Sequence, residues 1–477
     1  MARTERIVRL VSCTLRRFKN VGQGTVEMLG RGRNQLPDKY RDPDMLGARG
    51  RYREAAMRGT VVGLYGQNGT GKTAVVDALS CVRGLLCGEG LQDEFRHYIM
   101  LGTGSAELEC RFFWKRGEAE GLVDYRVEAG LREDRLALLR EELDFTPFSA
   151  RTGRERKTVP VLHFGGGVAD GDLFGPQERY EAVARAVSGG RDALLRALAV
   201  AESHAESCVF SAVAWRMFRE HLEPVYAALV EDLQGYARHR IQIINRQHCG
   251  LVTLGAMPFA LGQGVFPMPV NGPVPIAAEL VGRLERTIGN LAPVLGKIIP
   301  GLSMRLKRLG AEVAADGGTA ERVELLAVRG SHELPLRMES EGIRKIISIL
   351  GALEILYNTQ SYLLVVDELD AGIYEYLLGR MLQVFEQSGK GQLVFTSHNL
   401  RPLETLNADS LVFTTMNPEN RFMRYKGKKP THNLRDCYIR TIHSGGQDEL
   451  LYEDGDLDEL GIAFCLAAED EEEYGKA

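Results

Sequence analysis

The sequence predicts an α/β fold in which a parallel sheet is assembled from two distant parts of the chain. Antiparallel strands stand at the N-terminal end, and a mainly helical region is inserted between the two parts. Three observations carry this. Thr60–Tyr65 is a short continuous apolar run, the pattern of a strand buried on both faces, and a glycine-rich turn and a helical stretch follow it. Near the C-terminal end, Tyr362–Val366 and Gln392–Thr396 read as two more strands with a helix between them. Residues 7–15, 106–114 and 124–129 alternate apolar and polar instead, the period of half-buried antiparallel strands.

Taken in order, Ile7–Leu15 reads as a strand and Thr25–Leu29 as a second, with Phe18-Lys19-Asn20-Val21 between them. Residues 31–58 set Arg31, Arg33, Lys39, Arg41, Arg49, Arg51, Arg53 and Arg58 against four acids and are expected to form a basic loop. The strand Thr60–Tyr65 leads into a helix from Lys72 to about Leu86, ending near Gly88. Ala106–Trp114 and Asp124–Ala129 are antiparallel strands. From about Arg179 to Asn245 the period is helical, without sustained heptads. Pro267, Pro269, Pro273 and Pro275 mark a loop before the amphipathic helix Ala277–Ile299. Ser303–Leu309 and Arg322–Arg329 form a hairpin around Asp316-Gly317-Gly318. Helix Ile343–Tyr357, strand Tyr362–Val366, helix Ile373–Gln387 and strands Gln392–Thr396 and Ser410–Thr415 complete the α/β pattern. The chain divides into an N-terminal lobe (1–165), an inserted helical region (166–300), a C-terminal lobe (301–447) and an acidic segment (448–477).

Composition narrows the class. The 477 residues are 44% hydrophobic and 26% charged, which excludes a disordered, collagenous or disulfide-scaffold protein. The longest apolar run, Ile346–Tyr357, is broken by Gly351 and Glu354, so no membrane span is expected. The charged N-terminus leads into no apolar segment, and the eight cysteines form no C-x-x-C pair. Reduced thiols in a cytoplasm are the expectation, without a zinc ribbon or hook. Charge is segregated: the net −5 includes 12 carboxylates between Asp448 and Glu473, where no Lys or Arg occurs, and residues 1–447 carry +6. A mildly basic body allows a polyanion partner. Of the acidic segment, Leu460–Leu466 is apolar enough to dock on the core, leaving only Glu469–Glu473 mobile.

Gly66-Gln67-Asn68-Gly69-Thr70-Gly71-Lys72-Thr73 fits G-x-x-x-x-G-K-[ST], placed after a buried strand and at the start of a helix. The glycines let the backbone curl until successive N–H groups face a phosphate, and the helix N-terminus adds its partial positive charge. Gly66, Asn68, Gly69, Gly71 and Lys72 are therefore candidate nucleotide-binding residues, with Lys72 bridging β- and γ-phosphates. Thr73 is a candidate Mg²⁺ ligand through its hydroxyl. Leu363-Leu364-Val365-Val366-Asp367-Glu368 supplies the second half: an apolar strand lifts Asp367 to the sheet edge, where it would hold the Mg²⁺ shell. Glu368 is then the candidate that polarises the attacking water. Adjacent carboxylates suit metal plus water better than an acceptor hydroxyl, which favours ATP hydrolysis over a kinase reaction.

Two further features follow. Thr396-Ser397-His398-Asn399 ends a strand where His398 would contact the γ-phosphate. Glu339-Ser340-Glu341-Gly342-Ile343 opens a helix, either as an anion site at Ser340 and Gly342 or as an ordinary Ser N-cap. P-loop, S-x-G helix, Asp-Glu strand and Ser-His strand occur in the order expected of one ATPase type. The chain resembles the ABC-type head ATPases of the RecF/SMC/Old branch of P-loop NTPases. Within that branch it is similar to the "AAA family ATPase" group related to abortive-infection proteins such as AbiL. Leu15-Arg16-Arg17-Phe18-Lys19-Asn20-Val21 is similar to the branch's N-terminal strand, Ser340-Glu341-Gly342 resembles its degenerate signature, and Asp370-Ala371-Gly372-Ile373 its D-loop. Tyr374 stands where relatives often carry His, and Gln92 is the nearest candidate for a Q-loop.

The resemblance implies a dimer, or a higher oligomer, that closes ATP between two heads. Ser340 and Gly342 of one head would meet the nucleotide held by Lys72 of the other. It also implies a cytoplasmic switch in anti-phage defence that acts through an effector or toxin protein. The alternative is a RecF- or SMC-like DNA-binding ATPase in repair. A transporter subunit is disfavoured because no L-S-G-G-Q occurs, SMC-type cohesion because no long coiled coil occurs, and an Old-type nuclease because only about 60 residues follow Thr415. Arg421-Phe422-Met423-Arg424-Tyr425-Lys426-Gly427-Lys428-Lys429 interleaves basic and aromatic residues, as nucleic-acid surfaces do, though a solvated β-hairpin explains it as well.

Overall fold

The computed structural model describes residues 5–28, 47–165, 174–245, 256–261, 264–269, 272–313, 318–425, 433–444 and 447–453, together with 459, 461–463 and 466. The N-terminal part contains β1 (Arg6–Phe18), β2 (Val21–Glu27), α1 (Gly47–Met57), β3 (Thr60–Tyr65), α2 (Lys72–Cys87) and β4 (Ser105–Arg116). It continues through β5 (Ala119–Arg132), β6 (Arg135–Pro147), β7 (Val159–Gly165) and β8 (Phe174–Gly175). All of these strands except β3 form one antiparallel sheet in the order β2-β1-β4-β5-β6-β7-β8. Four helices follow, α3 (Gln177–Ala186), α4 (Gly190–Ser203), α5 (Ala212–Phe218) and α6 (Pro224–Arg240), then β9 (Ile241–Ile244). The hairpin β10 (Ala256–Leu261) and β11 (Gly264–Pro269) leads to β12 (Val274–Ala277) and α7 (Ala278–Ile298). β13 (Ser303–Val313), β14 (Thr319–Arg329) and β15 (His332–Pro335) complete a small antiparallel sheet with β12. The C-terminal part runs α8 (Glu341–Asn358), β16 (Leu363–Val366), α9 (Glu375–Ser388), β17 (Gln392–Thr396), α10 (Pro402–Thr405), β18 (Leu411–Thr414), β19 (Phe422–Met423) and α11 (Leu434–Ser444).

The central sheet draws on all three parts, in the order β19-β18-β3-β17-β16-β9, and is parallel except at β19. Its strands are buried on both faces, as the continuous apolar runs require. One hydrophobic cluster joins Val62, Leu64 and α2 to the antiparallel sheet and to α6; a second joins Val61, Tyr65, α7 and α8 to the other face. Two buried polar side chains fasten β1 to the central sheet. Gln392 copies a ladder rung, accepting from Leu10 N–H at 2.9 Å and donating to Leu10 C=O at 2.7 Å. Arg9, fully buried, donates to the carbonyls of Gln360 and Lys390 at 2.5 Å each and of Arg58 at 2.9 Å.

Three expectations are corrected. The basic stretch 31–58 is not one loop: residues 47–57 are helical, Arg49 is buried, and Arg49 and Arg53 pair with Glu120 at 3.4 and 2.7 Å. Residues 31–46 lie outside the described residues. The helical pattern does not persist to Asn245, because Ile241–Ile244 leaves α6 to pair in parallel with β16. Three of the four prolines are in strands, not in a loop: Pro267 and Pro269 sit in a two-stranded ribbon and Pro275 in the edge strand β12, positions that lose no ladder bond on their outer side, while Pro273 lies between the strands. Of the Leu460–Leu466 stretch, Ile462 and Leu466 are more than half exposed, and Leu460, Phe464 and Cys465 lie outside the described residues. The chain docks earlier, through buried Leu451, and Glu469–Glu473 lies outside the described residues.

Candidate nucleotide site

β3, β17 and β16 end side by side, so the loops that follow them meet at one carboxyl edge, where open α/β sheets place ligands. After β3 the chain needs glycine. Gly66 has φ +149°, and a Cβ there would stand 1.8 Å from Thr414 Oγ1; Gly69 and Gly71 have φ +78° and +95°. Gly71 is also the N-cap of α2, so the helix dipole points into the loop. Thr70 hydroxyl bonds Thr414 Oγ1 at 2.5 Å and donates to Gln67 C=O at 2.6 Å, closing the loop on β18.

Lys72 Nζ donates to the carbonyls of Gly66 at 2.8 Å and Gln67 at 2.9 Å, which aims the ammonium across the loop and leaves its third proton for the cleft. Burial pulls this amine below the usual lysine range, and Asp367, Glu368 and Asp370 offset part of that pull. Thr73 hydroxyl lies 3.4 Å from Asp367 Oδ1. A hydroxyl and a carboxylate are the hard oxygen donors that Mg²⁺ takes from protein while keeping its other positions for phosphate and water, so the pair fits Mg²⁺. Asp367 is buried, and its Oδ1 accepts from Thr396 hydroxyl at 2.5 Å; the same hydroxyl accepts from Glu368 N–H at 2.7 Å. Glu368 sits at φ +49°, a left-handed turn directly off the strand end that needs support. Lys345 from α8 supplies it, donating to Glu368 C=O at 2.6 Å. Opposite, Asp370 Oδ2 accepts from His398 N–H at 3.1 Å and Asn399 N–H at 3.0 Å, fixing the loop that carries His398.

The result is a cleft of about 660 Å³ lined by Asn68, Gly69, Gly71, Lys72 and Thr73 on one side and by Asp367, Glu368, Asp370 and His398 on the other. Its size is that of a nucleotide-class ligand pocket. Lys19 and Asn20 form a third wall, Lys19 paired with Asp77 and Asn20 donating to Gly69 C=O. Those two residues stand in the N-terminal motif that the sequence singled out without assigning them to the site. Thr396, Lys345 and Asp370 were missed as supports, since their relation to Asp367, Glu368 and His398 exists only in the folded sheet.

Ser340 and Gly342 do not line this cleft. Ser340 is the exposed N-cap of α8, its Oγ accepting from Ile343 N–H at 3.4 Å. Gly342 packs on the D-loop so tightly that a Cβ would stand 1.9 Å from Gly372 C=O. Gln92 is exposed ahead of a short helical turn (Asp93–Tyr98) and does not line the cleft either. Arg421 of the basic–aromatic cluster is buried, donating to Thr415 C=O at 2.5 Å and Asn20 C=O at 2.7 Å; residues 426–429 lie outside the described residues. Among the described residues no helix is long and apolar enough to cross a membrane.

No family model matches the chain, and no curated protein matches it. Among solved structures it is similar to an SMC head bound to the C-winged helix domain of ScpA (12% identity, 87% of this chain and 98% of that chain, TM-score 0.45). It is also similar to the SMC head domain from Thermotoga maritima (13%, 88% and 100%, 0.37) and to the recombination mediator protein RecF with ATP (11%, 82% and 94%, 0.33).

Proposed function

We propose that this chain is an ABC-type ATPase switch that binds ATP with Mg²⁺ and hydrolyses it between two head-to-head copies. The observation that carries the reading is the convergence of Lys72, Thr73, Asp367, Glu368 and His398, drawn from opposite ends of the chain, on one cleft. The loop N–H groups and the Lys72 ammonium hold the β- and γ-phosphates. Thr73 and Asp367 hold Mg²⁺, which when bound offsets charge on those phosphates. Glu368 orients water and takes its proton, and His398 faces the γ-phosphate from the neighbouring loop. Exposed Ser340 is free to meet the nucleotide of a second copy.

The output of the switch is set outside the cleft. The resemblance implies an effector protein in anti-phage defence, whereas a RecF-like switch would act on DNA. Engagement of Arg49, Arg53 and Arg421 inside the fold removes part of the basic surface that the DNA reading relied on. Lys72→Ala is expected to abolish ATP binding, while Glu368→Gln keeps binding and accumulates a nucleotide-bound dimer, because of these two residues Lys72 stabilises the phosphates in the ground state and Glu368 acts on water. Nucleotide affinity and size-exclusion profiles with ATP test this. A Glu368→Gln protein that binds ATP tightly yet stays monomeric would sink the sandwich.

A further inference from the structure

We infer that the C-terminal strap, residues 447–453, is a positioning element of the nucleotide site that acts through Gln67. The inference rests on the ATP-binding reading above. Gln67 is one of the variable positions of the phosphate loop, yet its side chain is held at two points by a segment 386 residues away in sequence. Its Nε2 donates to Glu453 C=O at 3.2 Å and its Oε1 accepts from Glu453 N–H at 3.1 Å, so a side-chain amide pairs with a backbone as one strand does with another.

The strap is itself rooted. Leu451 is 1% exposed and belongs to the cluster on the α8 face of the sheet. Leu450 C=O accepts from Met416 N–H at 2.7 Å, at the end of β18. Glu449 is clamped by the Asn417 amide at 3.1 Å to each oxygen and by Asn420 at 2.9 Å. From that root the strap reaches the loop at Gln67, and Gln67 C=O is where the loop is most heavily loaded. It accepts from Lys72 Nζ at 2.9 Å and from Thr70 hydroxyl at 2.6 Å. Fixing the Gln67 side chain therefore fixes the carbonyl that aims the Lys72 ammonium.

The role is ground-state positioning of Lys72. Losing the strap should raise the ATP dissociation constant and KM about five- to tenfold, the range that one net hydrogen bond supplies, with kcat changed less than about twofold.

The test compares chains ending at Tyr452 and at Gly455. Both remove most of the acidic residues, but only the first removes the Glu453 pair. Binding is read with a fluorescent ATP analogue, turnover by phosphate release, and folding by thermal melting. The expected result is weaker binding for the 452 chain, native-like binding for the 455 chain, and an unchanged melting temperature for both. Gln67→Ala in the full chain should match the 452 chain, and combining the two changes should add nothing further, since they remove the same contact. Glu449→Ala, which loosens the root without shortening the chain, should shift binding in the same direction.

Equal affinity for both truncated chains, with Lys72→Ala still abolishing binding, would overturn the strap and leave the ATP site standing. Tighter binding by the 452 chain would also overturn it. A full-length chain that binds no ATP would remove the reading beneath it.

Discussion

At the residue scale, the site is organised by the hydroxyl of Thr396, whose motif was read for its histidine. Thr396 gives its single proton to Asp367 and its lone pair to Glu368 N–H, so one group sets both the carboxylate proposed to hold Mg²⁺ and the backbone of the residue proposed to orient water. Thr396→Val keeps the shape and removes both bonds. Supports of this kind typically cost 10–100-fold, so kcat is expected to fall about that much while ATP affinity, set by Lys72 and the loop, stays within a few-fold. Thr396→Ser should restore most of the rate. A Val variant with full turnover, measured by phosphate release, would show that Glu368 does not depend on this hydroxyl for its position. The first contacts were legible in the sequence because G-x-x-x-x-G-K-T and the apolar run before Asp367-Glu368 are local spacings. Thr396 was not, because nothing along the chain tells that β17 lies between β3 and β16.

At the element scale, the long periodic segments were legible and the short ones were not. Lys72–Cys87 and Ala278–Ile298 fall within a residue or two of expectation, since sixteen and twenty-one residues of helical period leave little ambiguity. Ile241–Ile244 carries four residues of signal and follows α6 without a break, so only its pairing with β16 makes it a strand. The joint between the two large sheets was likewise invisible, because a buried Arg in an alternating strand reads as an exposed one. Arg9 fills that joint, bonded to three carbonyls and to Thr60 hydroxyl at 3.3 Å. Burial lowers its pKa to about 10, still far above neutrality, so it is charged there. Arg9→Met would keep much of the volume and leave the three carbonyls without this donor, at roughly 1 kcal/mol or more each. The expected loss is about 3 kcal/mol in chemical denaturation. A loss below about 1 kcal/mol would mean that water replaces the guanidinium and that the joint is held by Gln392 and apolar contacts.

At the scale of the whole molecule, the chain keeps the residues of the cleft apart from the exposed start of α8. Lys72, Thr73, Asp367, Glu368 and His398 share a cleft, whereas Ser340 stands outside it, exposed, on a helix whose next turn reaches back through Lys345 to Glu368. α8 thus touches the cleft through Lys345 and leaves its N-terminus at Ser340 exposed. Gly342 packs that N-terminus directly against the Asp370–Ile373 loop, where a Cβ would stand 1.9 Å from Gly372 C=O. If two copies close on ATP, Ser340→Arg puts a bulky charge against the phosphates of the second head and leaves binding by its own head intact. ATP affinity should be unchanged and turnover lost. Lys72→Ala fails for the opposite reason, being unable to hold nucleotide at its own loop. A mixed dimer keeps one composite site, formed by the intact Lys72 of the Ser340→Arg copy and the intact Ser340 of the Lys72→Ala copy. Mixing two dead proteins should therefore restore part of the activity, with a maximum near equal amounts, because half of randomly formed dimers are then mixed. Turnover measured across mixing ratios gives the answer directly. A flat, inactive profile would show that each head works alone and that Ser340 is only the N-cap its 3.4 Å bond to Ile343 makes it.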